Sequence, residues 1–298
     1  MIIMKFGGAA FANGNNILNI AKIVKDYKKR NRDIVIVASA MEGVTDKLFL
    51  IGELLKKKQL KKALNILHII KKQHISALKI VSRKEEGIRI EIEMIKLFSQ
   101  LENYVKNISM KDITPARIDF LVSFGERFVI RLVTEALERS GVPAYPIDAS
   151  NILATTHNFG NAIPLPRIKQ NYLDQILTPL VKRNIVPVVT GYIGYSGDGC
   201  TTTLGRGGSD LTATFLANFL DAQAIYLWKD VLGFYNDDPH KNKKATLFEK
   251  LSYDKAEKLA KNGAKVVYYK AILPVRKKRI PIYVRSYLKP QERGTTIS

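Results

Sequence analysis

A glycine-rich segment between two apolar runs constrains this chain more than any other feature. Residues 190–210, TGYIGYSGDGCTTTLGRGGSD, contain seven of the 19 glycines in the protein. The β-branched run 185–189 before them predicts a strand, and the periodic run 211–220 after them predicts a helix. Glycine lets a backbone approach an anion, and a helix N-terminus offers unpaired N–H groups and a positive dipole end. The segment therefore predicts a phosphate site, with Ser209 as the helix N-cap.

Strand and helix patterns alternate along the whole chain. Repeated βα units predict an α/β fold, with a mostly parallel sheet covered by helices on both faces. Ligands in such sheets bind beyond the carboxyl ends of the strands. Strands are expected at 2–6, 34–38, 118–123, 142–147, 185–189, 224–228 and 280–285, and helices at 15–29, 44–55, 60–81, 84–106, 126–140, 173–182, 211–220 and 253–262.

Composition argues against several classes of protein. The one cysteine, Cys200, cannot form a disulfide within the chain and fits a reducing compartment, so a cytoplasmic location is expected. The N-terminus has no signal-type apolar core, and the longest strongly apolar run, 34–41, is too short to span a bilayer. The four histidines lack metal-ligand spacing, so no protein metal site is predicted.

The net charge of +21 makes nucleic acid a candidate partner. Much of the excess lies in residues 54–84, which hold ten Lys and Arg residues and no acids. This window also has leucine and isoleucine at helical spacing, and no aromatic residues lie between its lysines to stack on bases. A solvated helix face explains the pattern better, and neither a specific nucleic acid nor a membrane is predicted as a partner.

Seven short motifs follow one another along the chain: KFGG at 5–8, SAMEGVTDKL at 39–48, SFGER at 123–127, TTLGRGGSDLTA at 202–213, DVLGFYNDDP at 230–239, GAKVV at 263–267 and GTTI at 294–297. In this order they resemble the motifs of aspartate kinases in the amino acid kinase family. Each motif alone recurs by chance, but their shared order over residues 5–297 is specific. The resemblance implies a single catalytic domain over residues 1–298 with a three-layer αβα sandwich and no classical P-loop.

The resemblance implies transfer of the γ-phosphoryl group of MgATP to the β-carboxylate of L-aspartate, at the head of lysine, threonine and methionine synthesis. Because this carboxylate is already ionised at neutral pH, the protein must bring two anions together and neutralise charge. Arg206 would hold the α-carboxylate through its planar fork, and Glu126 would hold the ammonium. The matching motifs assign catalysis to Lys5 and Asp210, and substrate binding to Ser39, Thr45, Glu126 and Arg206.

The same motifs assign the nucleotide side. Tyr235 would pack on the adenosine, while Asp230 and Lys265 would lie near the ribose and phosphates. Residues 1–190 would form a substrate lobe and residues 191–298 a nucleotide lobe, and Mg²⁺ would enter with ATP. The complete nucleotide set is Gly7, Gly8, Gly207, Gly208, Ser209, Lys229, Asp230, Tyr235, His240 and Lys265.

Four sites depart from the pattern of aspartate kinases, mostly on the nucleotide side. The departures leave open a kinase for another acidic substrate, or a weakened relative that serves as a binding protein. A basic nucleic-acid-associated protein is the third alternative. In this chain Ala9-Ala10 replace Thr-Ser, Lys229 replaces threonine, His240 replaces arginine and Tyr268-Tyr269 replace His-Pro.

The chain stops at Ser298, one residue after the last motif. Aspartate kinases commonly continue there into paired ACT domains that bind lysine or threonine. Residues 50–115 are predicted to be helical and lack the alternating strand pattern of such a domain. We therefore expect no ACT regulatory domain, no feedback response to lysine or threonine, and a homodimer formed through the catalytic domain.

Overall fold

Ten strands lie in the part of the chain that the computed structural model describes, which is residues 1–30, 33–82, 88–108, 113–166, 170, 172–237, 242, 244–264 and 266–298. Those in the centre of the sheet are rich in Ile and Val, as strands buried on both faces are. The strands are β1 (Ile2–Phe6), β2 (Ile34–Ala38), β3 (Ala144–Ile147), β4 (Val186–Thr190), β5 (Ile193–Tyr195), β6 (Thr201–Thr203), β7 (Ala224–Lys229), β8 (Lys250–Leu251), β9 (Ile282–Ser286) and β10 (Thr296–Ile297).

Eight of these strands form one sheet in the order β3-β4-β2-β1-β7-β9-β10-β8. Every pair of neighbouring strands in this sheet is parallel, except the pair of β9 and β10, which is antiparallel. Strand β1 is central, with Lys5 opposite Val37 of β2 and Leu227 of β7. The carboxyl ends of these three strands therefore meet at one edge, which is where ligands bind in such sheets. The remaining strands, β5 and β6, form an antiparallel hairpin.

Ten α-helices flank the sheet in the described residues. None of them is both long and apolar enough to cross a membrane. They are α1 (Gly14–Lys28), α2 (Val44–Lys56), α3 (Leu60–Val81), α4 (Ile88–Asn107), α5 (Pro115–Val122), α6 (Phe124–Arg139), α7 (Leu173–Lys182), α8 (Gly208–Phe219), α9 (Tyr253–Lys261) and α10 (Leu273–Arg276).

The two faces of the sheet carry separate cores. Alternate residues of a strand point to opposite faces, and Met4 and Phe6 of β1 lie in one core while Ile3 lies in the other. Helices α1 to α6 pack on the first face, and helices α7 to α10 on the second. The predicted three-layer αβα sandwich with a mostly parallel sheet is thus confirmed.

The strand predicted at 118–123 is wrong. Residues 118–122 belong to α5, and Ser123 joins α5 to α6. Thr114 caps α5 by accepting a hydrogen bond from the Arg117 N–H, and Pro115 occupies its first turn. A short apolar run has no period that separates a strand from a helix, so the Thr-Pro start signal should have decided the assignment.

The glycine-rich segment 190–210 is not one continuous loop, because it contains the β5–β6 hairpin. Gly207 adopts a left-handed conformation, with φ of +71°, and occupies the N-cap position of α8. Glycine enters this conformation at little cost, which lets the chain turn directly into the helix. The predicted N-cap, Ser209, is therefore wrong, since this residue lies inside the first turn.

Candidate active site

A cavity of about 670 Å³ opens at the carboxyl ends of β1, β2 and β7, and is called the first cavity here. The parallel sheet places the end residues of these strands side by side, and α8 and α6 contribute their first turns. All six residues predicted for catalysis and substrate binding line it, together with five predicted for the nucleotide. These residues are Lys5, Gly8, Ser39, Thr45, Glu126, Arg206, Gly207, Gly208, Ser209, Asp210 and Lys229.

Two lysines converge on one buried carboxylate in this cavity. Lys5 Nζ lies 2.6 Å from Asp210 Oδ1, and Lys229 Nζ donates to both oxygens of Asp210 at 2.9 and 3.1 Å. Lys5 and Asp210 are only 6% and 4% exposed. Lys5, Asp210 and Lys229 are called the lysine–aspartate cluster below. With both lysines protonated and Asp210 ionised, the cluster carries one net positive charge in a site with little water to screen it.

Burial and neighbouring charges move the pKa values of this cluster. The pKa of Lys5 is lowered to about 8, mainly by burial; Asp210 opposes this shift and Lys229 contributes to it. Burial alone would raise the pKa of Asp210, but Lys229 and Lys5 together hold it well below the usual range for a carboxyl. Perturbed groups of this kind in a cleft are typical of functional sites.

Glu126, in the first turn of α6, lines the cavity and has one unpaired carboxylate oxygen. Its Oε1 accepts a hydrogen bond of 3.0 Å from the Ala40 N–H, and its buried Oε2 has no hydrogen-bond partner among the described residues. Burial raises the pKa of Glu126 to about 8, against the opposing effects of the Ala40 N–H, Arg127 and Lys5. A cationic group of a ligand placed beside Oε2 would favour the charged form of this carboxyl.

Arg206 is the exposed cation of the site. It lies between Gly205 and Gly207, which both have positive φ angles, and it lines the first cavity. It has no acidic partner among the described residues. A guanidinium group in this position is free to pair with the carboxylate of a ligand through two parallel hydrogen bonds.

A second cavity, of about 750 Å³, adjoins the first. The two cavities share Arg206, Gly207, Asp210 and Lys229. The rest of the second cavity is formed by the end of α9, by Gly263, Ala264, Val266 and Val267, and by the aromatic pair Tyr268-Tyr269. Gly207 packs directly on the Tyr268 ring, so that a side chain at position 207 would collide with it. Asp210 and Lys229 of the lysine–aspartate cluster therefore lie at the border between the two cavities.

The remaining predicted nucleotide residues are less closely grouped. Gly7 lies beside Lys5, since a Cβ added to it would be 3.8 Å from Lys5 Nζ. Asp230 and Tyr235 line a smaller, separate cavity of about 210 Å³. His240 and Lys265 lie outside the described residues. Within the described residues, no group of three His, Cys, Asp or Glu side chains is placed to hold a metal ion.

Sequence reasoning missed Asp119, which positions the glycine-rich segment. Asp119 is 1% exposed and accepts hydrogen bonds from the Gly160 N–H, the Thr203 N–H and the Thr203 hydroxyl, at 2.9, 2.7 and 2.8 Å. The Gly160 carbonyl packs against Gly205, just before Arg206. The available signal was a single charged residue within the apolar run 118–123.

Tyr192 is a second lining residue that the sequence did not single out. It has a φ of +70° and lies against Gly208, where an added Cβ would be 2.8 Å from its ring. Burial raises the pKa of its phenol. Its ring therefore fills space at the turn into α8, and its position among glycines was the only sequence signal.

The sequence matches the model of the Amino acid kinase family over residues 1–286. The chain belongs to the amino acid kinase family. It is 34% identical to aspartokinase 3, chloroplastic, of Arabidopsis thaliana over an alignment of 299 residues. This alignment covers 99% of this chain and 52% of that protein. It is also 32% identical to lysine-sensitive aspartokinase 3 of Escherichia coli over an alignment of 300 residues. This alignment covers 100% of this chain and 64% of that protein.

Structural comparison agrees with this assignment to the amino acid kinase family. The crystal structure of E. coli aspartokinase III in complex with aspartate and ADP superposes with a TM-score of 0.88 at 29% identity, covering 100% of this chain and 64% of that one. The resemblance to aspartate kinases read from the motifs is thus confirmed over the whole chain. The chain spans about half to two thirds of the length of these relatives.

Proposed function

We propose that this chain transfers the γ-phosphoryl group of MgATP to the β-carboxylate of L-aspartate. The observation that carries the proposal is the buried lysine–aspartate cluster between two adjoining cavities. The first cavity would take the amino acid and the second the phosphate end of the nucleotide. A site for two anionic substrates needs cations at the point where they meet.

The polar groups of the first cavity match the three charged groups of aspartate. The unpaired Oε2 of Glu126 would accept the substrate ammonium, and Arg206 would clamp the α-carboxylate. Ser39 and Thr45 line the same cavity and would add hydroxyl contacts. The β-carboxylate would then face Lys5, which lines the same cavity.

The chemical step needs no proton transfer from the acceptor. An oxygen of the β-carboxylate forms a bond to the γ-phosphorus as the bond from phosphorus to the β,γ-bridging oxygen breaks, and ADP leaves with that electron pair. The products are 4-phospho-L-aspartate and ADP. Lys5 would neutralise charge on the moving group, and Asp210 would hold the Lys5 ammonium in place.

The nucleotide side rests on the glycine turn before α8. Gly207 caps that helix, and Gly208 and Ser209 lie in its first turn, where backbone N–H groups and the positive dipole end suit phosphate oxygens. Asp210 is already bound to two ammonium groups, which fits Mg²⁺ arriving as part of the MgATP substrate. Asp230 and Tyr235 would hold the nucleoside, and a nucleotide lobe at 191–298 beside a substrate lobe at 1–190 is part of the same proposal.

Trapping with hydroxylamine tests this function. Hydroxylamine converts an acyl phosphate to a hydroxamate, so ATP, Mg²⁺ and L-aspartate should yield aspartyl hydroxamate. Lys5→Ala should lower the rate about 100- to 1,000-fold, because one preorganised cation is lost from the transition state. Lys57→Ala, at the exposed end of α2, is the matched control and should match the wild-type rate.

Other outcomes of the same assay separate the alternatives. Hydroxamate from glutamate but not aspartate would assign another acidic substrate. Absence of hydroxamate from every acidic amino acid would favour a binding protein. A homodimer and a place at the head of lysine and threonine synthesis are supported by the resemblance to aspartate kinases, and light scattering tests the dimer.

A further inference from the structure

Lys229, the last residue of β7, lies where the two cavities meet. Its Nζ binds both oxygens of Asp210, and 16% of its side-chain surface stays exposed. Lys229 lines both cavities, whereas Lys5 lines only the first. Of the two ammonium groups in the lysine–aspartate cluster, that of Lys229 is therefore the one that reaches the second cavity.

The sheet brings the two lysines to the same place from neighbouring strands. Lys5 pairs with Leu227, and Lys229 follows two residues later on the same face of β7. Lys229 lies one residue beyond the last pair between β1 and β7, which is Phe6 with Trp228. It therefore extends past the end of β1, towards the edge of the sheet where the cavities open.

Positive charge dominates the second cavity. Arg206, Lys229 and Lys261 line it, and Asp210 is the one acid among its described lining residues. Lys261 is already paired with Glu257 at 2.6 Å. One carboxylate cannot neutralise Lys5, Lys229 and Arg206 together, so the cavity retains a surplus of positive charge that suits a polyanionic ligand.

We propose that Lys229 is a second catalytic cation, which contacts the terminal phosphate oxygens of the nucleotide from the second cavity while Lys5 contacts them from the first. This role rests on the proposed kinase function. The transferred group spreads its charge over three equatorial oxygens, so two cations can stabilise it without competing for one oxygen. Asp210 then acts as the shared anchor that sets the spacing of both ammonium groups.

The neighbouring turn offers little alternative stabilisation. Ala9 lines the first cavity, and neither Ala9 nor Ala10 has a hydroxyl group to donate to a phosphate. Among the described side chains that line the cavities, Lys5, Lys229 and Arg206 therefore remain to neutralise the transferred group. Backbone N–H groups in the first turn of α8 remain as neutral donors.

Nucleotide binding to the full chain tests the role of Lys229 without an acceptor. Calorimetry with ATP and with AMP is compared between the wild type and Lys229→Met. ATP affinity should fall about 10- to 100-fold, because a buried charge-assisted contact is lost, while AMP affinity should change less than about 3-fold. Lys182→Met, an exposed lysine of α7, is the control and should bind both nucleotides like the wild type.

Turnover provides the second measurement. In the hydroxamate assay, kcat of Lys229→Met should fall about 100- to 1,000-fold, with KM for aspartate within about 3-fold of the wild type. Lys229→Arg keeps the charge and should recover part of kcat. In Lys229→Met, the alkaline limb of the plot of kcat against pH should move to higher pH. The Lys5 ammonium group loses its like-charged neighbour and keeps Asp210, so its pKa rises. Glu126 and Arg206 line the same cavity as Lys5.

The outcomes separate this proposal from the proposed function. Equal weakening of ATP and AMP, or wild-type kcat and ATP affinity in Lys229→Met, would overturn the role of Lys229. If the wild type phosphorylates no acidic amino acid, the kinase function fails, and the ATP-to-AMP comparison still decides whether Lys229 binds the phosphate chain. Circular dichroism checks folding, and Lys229→Gln, which can still hydrogen-bond to Asp210, replaces the Met variant if that one unfolds.

Discussion

Glu126→Gln is the perturbation with the most specific expected signature. The substitution removes the carboxylate that would meet the substrate ammonium, and it keeps an acceptor for the Ala40 N–H. With a pKa of about 8, Glu126 is roughly one-tenth ionised at pH 7 and roughly one-hundredth ionised at pH 6 in the empty site. Because the ammonium pairs with the ionised form, aspartate binding must release a proton from Glu126.

The size of this effect follows from the same pKa. Between pH 6 and pH 8, aspartate affinity of the wild type should rise roughly 50-fold, with about 0.9 proton released per aspartate at pH 7. Calorimetry in two buffers of different ionisation enthalpy, with ADP present, counts these protons. Lys5 titrates in the same range but loses its charge as pH rises, so it would weaken anion binding instead.

The Gln variant is the internal control for that measurement. Glu126→Gln should bind aspartate weakly, with no proton release and little dependence on pH. A wild-type affinity that stays flat from pH 6 to pH 8, without proton release, would refute the pairing of Glu126 with the substrate ammonium. The same result would leave Arg206 as the main determinant of amino-acid binding in the first cavity.

The stability of the ligand-free protein should fall as pH rises, whereas the affinity of the protein for aspartate should rise. Folded Glu126 has the higher pKa, so its contribution to stability is fully present below about pH 4.5 and is lost as pH rises through about 8. At 1.36 kcal/mol per pKa unit, the loss is on the order of 5 kcal/mol at pH above 8. Glu126→Gln removes this loss, so its Tm should exceed that of the wild type at pH 8, and the difference should shrink towards pH 5.

Three further variants test other features of the protein. Arg206→Lys should weaken aspartate binding at least about 10-fold more than ATP binding, because an ammonium cannot form the bidentate pair; equal weakening would place Arg206 on the nucleotide side. Asp119→Ala should destabilise the fold by about 2 to 4 kcal/mol and lower kcat/KM for aspartate. Three hydrogen-bond donors, which lie 2.7 to 2.9 Å from the carboxylate oxygens of Asp119, lose their acceptor in this variant. An unchanged denaturation midpoint would contradict this. Replacing the three lysines at 56–58 with Gln should leave aspartate turnover within about 2-fold of the wild-type rate. Nucleic-acid binding, where detected, should fall steeply as the salt concentration rises. Tight binding at physiological salt would revive the nucleic-acid hypothesis.

Local sequence patterns predicted most of the strands and helices because the chain repeats a simple βα unit. The strands β1 and β2 are fully buried apolar runs, and the amphipathic spacing of α3 and α4 separates core from solvent. Most predicted bounds agree within a few residues, apart from residues 83–87, which lie outside the described part. The error at 118–123 arose because so short an apolar run has no clear period, and the helix start signal of Thr114 and Pro115 just before it was not used.

The candidate site was less accessible to sequence reasoning. A glutamate in the first turn of a helix is common, and only the structure shows that the Oε2 of Glu126 is buried and unpaired. The convergence of Lys5 and Lys229 on Asp210 depends on the register of β1 and β7, which are roughly 220 residues apart in sequence. The β5–β6 hairpin was hidden by its glycines and threonines, whose pairing depends on the surrounding fold.

The central position of β1 has a consequence for synthesis of the chain. Strand β1 pairs with β2 early, but its other neighbour, β7, begins only at Ala224. At about 5 to 20 residues per second, the free edge of β1 waits on the order of ten seconds or more after its own translation. During that time, alternate residues of this strand, which is fully buried in the folded protein, present unpaired N–H and C=O groups along that edge. Ribosomes paused before residue 224 should therefore carry an aggregation-prone nascent chain, whereas release after β7 should allow the sheet to close.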